Sequence, residues 1–115
     1  MELKTIEVKE YQDKLLVTIL EKRVYLGITD VFREEVQALL TKEVKEIIFD
    51  LKNVSVMNSS GLGVLIMARD ALSKQGGQIK LANLQPLMQE IFSRMRLDTL
   101  FSIYPDTQEA LADSK

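Results

Sequence analysis

The sequence predicts an α/β fold: a mixed, mostly parallel sheet of about five strands with helices mainly on one face. Short segments rich in aliphatic and β-branched residues alternate with longer segments whose apolar residues recur at helical spacing, in the order ββαβαβαβα. Strands that are joined through helices run parallel, because right-handed crossovers bring each strand back in the same direction. The chain of 115 residues has the length of one domain, so residues 1–115 are expected to form a single domain.

The first elements are a predicted hairpin and a helix. Residues 3–8 alternate in polarity as an edge strand does, and residues 15–20, with the sequence LLVTIL, predict a more buried strand. Thr29 or Asp30 is expected to cap the first helix, because its side-chain oxygen can accept a backbone N–H that the first turn leaves free. The apolar face of this helix is predicted to consist of Val31, Phe32, Val36, Leu39 and Leu40.

The middle of the chain predicts a buried strand and a second helix. Residues 45–51 contain three successive large apolar residues, which is typical of a strand covered on both faces. A helix is predicted after Asn58 and extends to Gln75, where Gly76 and Gly77 end it.

The remaining elements continue the alternation of strands and helices. Residues 78–84 predict a strand, and Pro86 can open the next helix at its first position, where its missing N–H is not needed. A short strand at residues 101–104 and a last helix that begins at Asp106 or Thr107 complete the order. The apolar face of the third helix is predicted to consist of Leu87, Met88, Ile91, Phe92 and Met95.

The composition excludes several classes of protein. Apolar residues make up 46% and charged residues 28% of the chain, which is typical of a globular domain. The 17 acidic and 15 basic residues nearly cancel, so binding to nucleic acid is not expected. Without histidine or cysteine the chain cannot form a Ser-His-Asp or Cys-His site, a zinc site of those ligands, or a disulfide. No leader and no apolar stretch of about 18 residues is evident, so a cytoplasmic protein that does not bind membranes is expected.

The hexapeptide 58–63, with the sequence NSSGLG, lies at a predicted strand-to-helix junction. A P-loop would need lysine where Val64 stands, and a dinucleotide fingerprint would need a small residue where Ile66 stands. A nucleophile elbow would need Gly-x-Ser-x-Gly and a histidine partner. The simplest interpretation is structural: Ser59 or Ser60 caps the helix, and the glycines let it pack close to the sheet.

The outer face of this second helix is unusually apolar near its beginning. At about 100° per residue, the predicted core face consists of Gly61, Val64, Leu65, Ala68, Ala71 and Leu72. Leu62 and Ile66 then lie on the outer side of the first turns, beside the two serines, which indicates a docking patch. The alternative is that a neighbouring helix covers both side chains.

The run from Ile47 to Leu65, with the sequence IIFDLKNVSVMNSSGLGVL, resembles the signature of bacterial anti-sigma factor antagonists, the STAS domain family. Residues 73–77, 97–101 and 107–111 are similar to later landmarks of the family, so the resemblance covers nearly the whole chain. It implies a single STAS-like domain over residues 1–115.

The resemblance also implies a protein-binding switch that regulates sigma-factor-dependent transcription. It assigns phosphorylation to Ser59, by an anti-sigma factor that is itself a serine kinase. The unphosphorylated protein would bind this kinase, the phosphorylated protein would release it, and a serine phosphatase would restore the first state. ATP and magnesium would belong to the kinase, so no cofactor, metal site or catalytic residue is expected here. The residues implied to contact the partner are Asn58, Ser60, Gly61, Leu62, Ile66 and Tyr25.

Two departures from the family pattern keep other functions open. Asn58 stands where the family usually has aspartate, and the loop 21–25 carries Lys22 and Tyr25 where the family often has glycine and an acid. These changes favour, as an alternative, a constitutive STAS interaction or scaffold module of a regulatory or transporter complex without kinase control. A third possibility is that the loop around Ser59 binds a small ligand, either a nucleotide or a lipid. The bland interpretation of Lys22 and Arg23 is that they are ordinary solvated loop charges.

Overall fold

Strands and helices alternate in the computed structural model, which describes residues 3–41 and 43–113. The strands are β1 (Ile6–Tyr11), β2 (Lys14–Ile19), β3 (Arg23–Val24), β4 (Glu46–Asp50), β5 (Val56–Met57), β6 (Gln78–Ala82) and β7 (Ser102–Tyr104). The helices are α1 (Leu26–Leu39), α2 (Ser59–Lys74), α3 (Pro86–Arg94) and α4 (Thr107–Ala112), and a 3₁₀ turn covers Leu97–Thr99.

The main sheet has five strands in the order β1-β2-β4-β6-β7. Strand β1 pairs antiparallel with β2, and each further neighbour pairs in parallel, so the predicted mixed, mostly parallel sheet is confirmed. The crossovers between the parallel strands run through α1, α2 and α3, which confirms the predicted order of the main elements. Strands β3 and β5, which form a separate parallel pair, were not predicted.

The helices lie on both faces of the main sheet, but three of the four share one face. Side chains from α1, α2 and α3 join a single core with alternate strand residues such as Val17, Phe49 and Leu81. The intervening strand residues point to the opposite face, where Leu16 and Ile48 pack with Ala110 of α4. The expectation of helices mainly on one face is therefore confirmed, with α4 as the exception.

A buried lysine fixes α4 to this opposite face. Lys80 in β6 is 0% exposed, and its Nζ lies 3.1 Å from Oε1 of Glu46. The same ammonium group donates hydrogen bonds to the carbonyl oxygens of Ala110, at 2.9 Å, and of Asp113. These carbonyls belong to the C-terminal end of α4, where a cation complements the helix dipole. Through these hydrogen bonds, Lys80 joins the middle of the sheet to its last helix.

A second buried charge joins α1 to the segment that precedes β1. The carboxylate of Glu35 accepts hydrogen bonds from the backbone N–H of Lys4, at 2.6 Å, and of Thr5, at 2.8 Å, and from the Thr5 hydroxyl. Burial by itself would raise the pKa of Glu35, but these hydrogen bonds and the charge of Lys4 outweigh it. The pKa of Glu35 is consequently held below its ordinary value.

The predicted start of α1 was wrong. The helix begins at Leu26 with Tyr25 as its N-cap residue, and Tyr25 contributes no side-chain hydrogen bond to the cap. Thr29 lies within the first turn, where its hydroxyl donates back to the Tyr25 carbonyl oxygen at 2.9 Å. Asp30 is one residue further into the helix and pairs with Arg33. Thr29 and Asp30 therefore make their interactions from within the first turns of α1, and neither residue is the N-cap.

Two helices also bury fewer of their predicted apolar residues than expected. In α1, Val31 is 38% exposed, and in α3 Leu87 is 50% exposed while Met88 and Phe92 are buried. Met95 follows the last residue of α3 and is exposed. A helix of nine residues buries only a narrow arc, because residues one apart point about 100° away from each other. No described helix combines the length and the hydropathy that crossing a membrane would need.

Candidate functional site

The small sheet of β3 and β5 brings the starts of two helices together. Val24 pairs in register with Met57, and the backbone N–H of Asn58 donates to the Val24 carbonyl oxygen at 2.9 Å. Helix α1 begins directly after Tyr25, and helix α2 begins directly after Asn58. Both helices therefore start side by side, beyond the carboxyl ends of β2 and β4, which is where open α/β sheets usually carry their binding sites.

Asn58 is the cap of α2, so the predicted capping by Ser59 or Ser60 was wrong. The Asn58 side chain accepts a hydrogen bond from the backbone N–H of Gly61 at 2.8 Å. Ser59 and Ser60 are the first two residues of the helix, and both side chains are exposed. Because Asn58 provides the cap, the Ser59 hydroxyl has no role in the fold's own hydrogen bonding within the described residues.

The surroundings of Ser59 carry a positive electrostatic bias. The first turns of α1 and α2 contain no acidic residue, and their backbone N–H groups form the positive ends of two helix dipoles. Lys22 and Arg23 are exposed on the adjoining segment, whose Lys22 carbonyl oxygen accepts a hydrogen bond from the backbone N–H of Ser55 at 2.7 Å. An anion attached to Ser59 would lie in a favourable position.

The predicted docking patch of Leu62 and Ile66 is not exposed. Leu62 is 4% exposed and belongs to the main core, and Ile66 is half-buried and packs against that core. Helix α1 packs along α2. The packing of the chain itself buries Leu62 and half-buries Ile66, so the prediction of an exposed patch was wrong.

Gly61 is also buried, and the fold itself requires it. A Cβ atom at this position would lie 2.5 Å from Cγ of Met57 and 2.8 Å from Cγ1 of Val24. Only glycine lets the first turn of α2 approach β3 and β5 this closely. Gly61 therefore lets the first turn of α2, which carries Ser59, pack against β3 and β5, and Gly61 itself is not at the surface.

The family model of the STAS domain matches residues 5–110, which is most of the chain. The chain belongs to the STAS domain family. The anti-sigma-B factor antagonist of Bacillus subtilis (strain 168) is 32% identical over 99 residues, which cover 85% of this chain and 88% of that protein. The anti-sigma F factor antagonist of Paenibacillus polymyxa is 26% identical over 77 residues, 67% of this chain. That match spans 66% of the Paenibacillus protein. A STAS-domain containing protein of Pseudomonas aeruginosa (strain UCBPP-PA14) is 36% identical over 56 residues, which cover 49% of this chain and 55% of that protein.

Solved structures support the same fold. An anti-sigma factor antagonist from Mycobacterium paratuberculosis superposes with a TM-score of 0.83 at 20% identity, covering 93% of this chain and 90% of that one. The anti-sigma factor antagonist SpoIIAA in its unphosphorylated form gives a TM-score of 0.74 at 17% identity, with 91% and 92% covered. SpoIIAA from Bacillus in the phosphorylated form gives 0.69 at 17% identity, with 91% and 96% covered. At these identities the similarity establishes the fold of the STAS domain.

Two apolar residues next to helix starts of this STAS domain are exposed. Tyr25, which sequence analysis expected at the site, is 54% exposed. It follows Val24, whose carbonyl oxygen accepts the hydrogen bond from the Asn58 backbone N–H. Leu87, which was expected in the core, is 50% exposed near the start of α3, the helix that packs against β5. The buried residues of α3 are Met88 and Phe92, which are four residues apart. Had the sequence analysis chosen this pair as the core face, it would have indicated that Leu87 points away from the core.

Polar side chains that sequence analysis did not single out hold the loops behind this surface. The buried Asp50, at the end of β4, accepts hydrogen bonds from the Lys52 backbone N–H at 3.0 Å and from Nδ2 of Asn83 at 3.1 Å. Gln85 donates from Nε2 to the Lys52 carbonyl oxygen at 2.8 Å. The loops that follow β4 and β6 are thereby fixed to each other, which fixes the start of α3 relative to that of α2.

Proposed function

We propose that this STAS domain is an anti-sigma factor antagonist that works as a phosphorylatable protein-binding switch. In this role it binds an anti-sigma factor with serine kinase activity while Ser59 is unphosphorylated, and releases it once Ser59 carries phosphate. The named relatives from Bacillus and Paenibacillus support the general role. The switch regulates sigma-factor-dependent transcription in the bacterial cytoplasm, and a serine phosphatase resets it.

The position of Ser59 is the observation that carries the proposal. Its side chain is exposed at the first residue of α2, beside Asn58, which already provides the cap. A kinase can reach such a hydroxyl without unfolding any element. The phosphate would meet free N–H groups of the first turn and no acidic residue of α2 there, so the fold would tolerate it.

Release follows from the charge that the phosphate adds. Phosphoserine carries about −1.5 to −2 charges at pH 7. In the unphosphorylated state the partner would pack on the exposed residues at the starts of α1 and α2, which include Ser60 and Tyr25. In the complex the partner would remove water from this strongly solvated anion, and that desolvation cost would weaken binding. In the free protein the phosphate stays in water and the cost does not arise. The chain contributes the hydroxyl that is modified, and the kinase contributes ATP, magnesium and the catalytic groups.

The testing experiment compares two adjacent serines. The purified chain is incubated with ATP and each serine-kinase anti-sigma factor encoded by the source organism, and its intact mass is measured. We expect one phosphate to be added, Ser59→Ala to abolish the addition, and Ser60→Ala to leave it in place. Ser60→Ala tells which of the two exposed serines of the first turn is modified, and Ser73→Ala, an exposed change in the last turn of α2, is the matched control.

Binding is measured in parallel by calorimetry with the same kinases. The unphosphorylated chain should bind one of them, and the phosphorylated chain should bind it at least tenfold more weakly. Phosphate on Ser60 alone, or no phosphate with any kinase, would contradict the proposal. Stable capture of a partner that Ser59→Ala and ATP leave unchanged would favour the constitutive scaffold module instead.

A further inference from the structure

The chain leaves the carboxyl ends of β6 and β7 toward opposite faces of the main sheet. The last residues of these strands, Ala82 and Tyr104, pair in register. After β6 the chain enters α3, whose Phe92 belongs to the main core, whereas after β7 it enters α4, whose Ala110 packs on the other face. Neighbouring parallel strands whose connections diverge in this way leave a crevice between their ends, and open α/β sheets bind ligands in such crevices.

A cavity of about 390 Å³ lies at this crevice. The volumes of small-molecule sites in proteins are roughly 300–1,000 Å³, so the cavity has room for a small organic ligand. Its walls come from the loop after β6, from α3, from the 3₁₀ turn and from the end of β7. They include Leu84, Phe92, Asp98, Ile103, Tyr104 and Pro105.

Asp98 supplies a free negative charge to this largely apolar lining. The other polar side chains of the lining are already engaged: Nε2 of Gln89 donates to the Leu84 carbonyl oxygen at 2.9 Å, and the Tyr104 hydroxyl donates to the Asp113 carboxylate. Asp98 is exposed, and its carboxylate makes no hydrogen bond or ion pair with any residue in the ranges 3–41 and 43–113. The cavity therefore offers apolar walls and one unpaired carboxylate.

We propose that this cavity binds a small organic cation, namely a primary amine with an apolar body. The ammonium group pairs with the carboxylate of Asp98, which attracts a positive charge and repels a negative one. The apolar body contacts Leu84, Phe92 and Ile103, and the water that it displaces gives the hydrophobic part of the affinity. This site is independent of the proposed switch, because no described residue of α2 lines the cavity.

The test compares three probes of similar shape and different charge. At pH 7 phenethylamine is a cation, phenethyl alcohol is neutral and 3-phenylpropionate is an anion. Each is titrated into the ¹⁵N-labelled chain, and the shifts of the backbone amide signals are followed by NMR. We expect phenethylamine to bind with a dissociation constant of about 1 mM or lower, with the largest shifts at Leu84, Gln89 and Ile103. The alcohol should bind about fivefold more weakly, as the loss of an exposed ion pair predicts, and the anion more weakly still.

Three variants assign the binding to the cavity. Asp98→Asn keeps the shape of the side chain and removes its charge, so the amine should bind about fivefold more weakly, like the alcohol. Glu34→Gln removes the same charge from an exposed position of α1 and is the matched control, which should bind like the wild type. Ile103→Trp places a larger side chain at the exposed edge of the cavity and should abolish binding of all three probes. Urea midpoints show whether each variant keeps the fold.

Several results would overturn the proposal. Equal affinities of the three probes for the wild type would refute the cation, and this comparison decides the question even if a variant is destabilised. Shifts that gather on another surface, or no saturable shift with phenethylamine, would refute the site. Equal weakening by Asp98→Asn and Glu34→Gln would show a general effect of surface charge and no role of Asp98. None of these results bears on Ser59, so the proposed function stands or falls by the phosphorylation experiment alone.

Discussion

The cap of α2 makes a quantitative prediction about the site, because Asn58 both stabilises the helix and adjoins Ser59. Asn58→Ala removes the oxygen that accepts the Gly61 N–H at 2.8 Å. Asn58 is half-buried, so water can replace part of this bond, and we expect a loss of about 1 kcal/mol in the free energy of unfolding. With a urea dependence of about 2 kcal/mol per molar, the midpoint should fall by about 0.5 M.

Asn58→Asp changes charge and keeps the cap. The new carboxylate can accept the same N–H, and it would be a negative charge at a helix start whose first turn contains no acid. We therefore expect a gain of about 0.3–1 kcal/mol before phosphorylation. After phosphorylation of Ser59 the carboxylate would lie beside the phosphate. At about 6 Å in water the two groups repel by about 1 kcal/mol, which cancels or reverses the gain.

Urea unfolding followed by far-ultraviolet circular dichroism measures these differences for the wild type, Asn58→Ala and Asn58→Asp, each with and without phosphate. Raising the salt concentration to about 1 M should shrink the effect of Asn58→Asp and leave that of Asn58→Ala almost unchanged, because only the first is electrostatic. Equal stability of Asn58→Ala and the wild type would refute the assignment of the cap. A gain from Asn58→Asp that survives phosphorylation would refute the placement of the phosphate at the helix start.

Two further predictions concern the buried charges that hold the fold together. Lys80→Met removes the buried partner of Glu46 and the donor to the end of α4, while Lys14, at 3.4 Å, and Gln78 still contact the Glu46 carboxylate. Unfolding in urea should therefore show a loss of at most about 3 kcal/mol, and hydrogen exchange should speed up in α4; an unchanged midpoint would contradict this role. The lowered pKa of Glu35 means that its carboxylate stabilises the fold above its ordinary pKa of 4.5, and that this stability is lost as the pH falls below that value. Glu35→Gln should therefore be less stable than the wild type at pH 7, and this difference should shrink as the pH falls below 4.5; a difference that does not change with pH would contradict the assignment.

Sequence predicted the elements that carry a local chemical signal. The apolar run at Ile47–Phe49 forms β4, Pro86 stands at the first turn of α3, and Asp106 caps α4 by accepting the Glu109 N–H at 2.9 Å. Gly76 ends α2 with a φ of 82°, a conformation that other residues rarely adopt. Each of these signals depends on one or a few adjacent residues, so no knowledge of the tertiary structure is needed to detect it.

The errors arose where tertiary contacts decide the outcome. Strands β3 and β5 have two residues each, too few to show any periodicity. Tyr25 begins α1 without a capping side chain, so no residue type marks the helix start. Leu62 was predicted on the outer side of α2 but belongs to the main core, because helical periodicity does not say which other elements pack around a helix. The motif predicted a site at the start of α2, which stays a prediction, and the structure shows which of its residues are exposed: Ser59 and Ser60 are, whereas Gly61 and Leu62 are buried.

The proposed switch at Ser59 would act through the surface and leave the fold unchanged. Asn58 supplies the cap and Gly61 supplies the close approach to β3 and β5, so the hydroxyl of Ser59 is not needed for either. Phosphate on that hydroxyl breaks no hydrogen bond of the described fold and adds an anion where the helix dipole favours one. Phosphorylation should therefore change mainly the free energy of binding to a partner that packs on this surface. Under the proposed function, the phosphorylated and unphosphorylated states of the protein would differ in what they bind and not in how they fold.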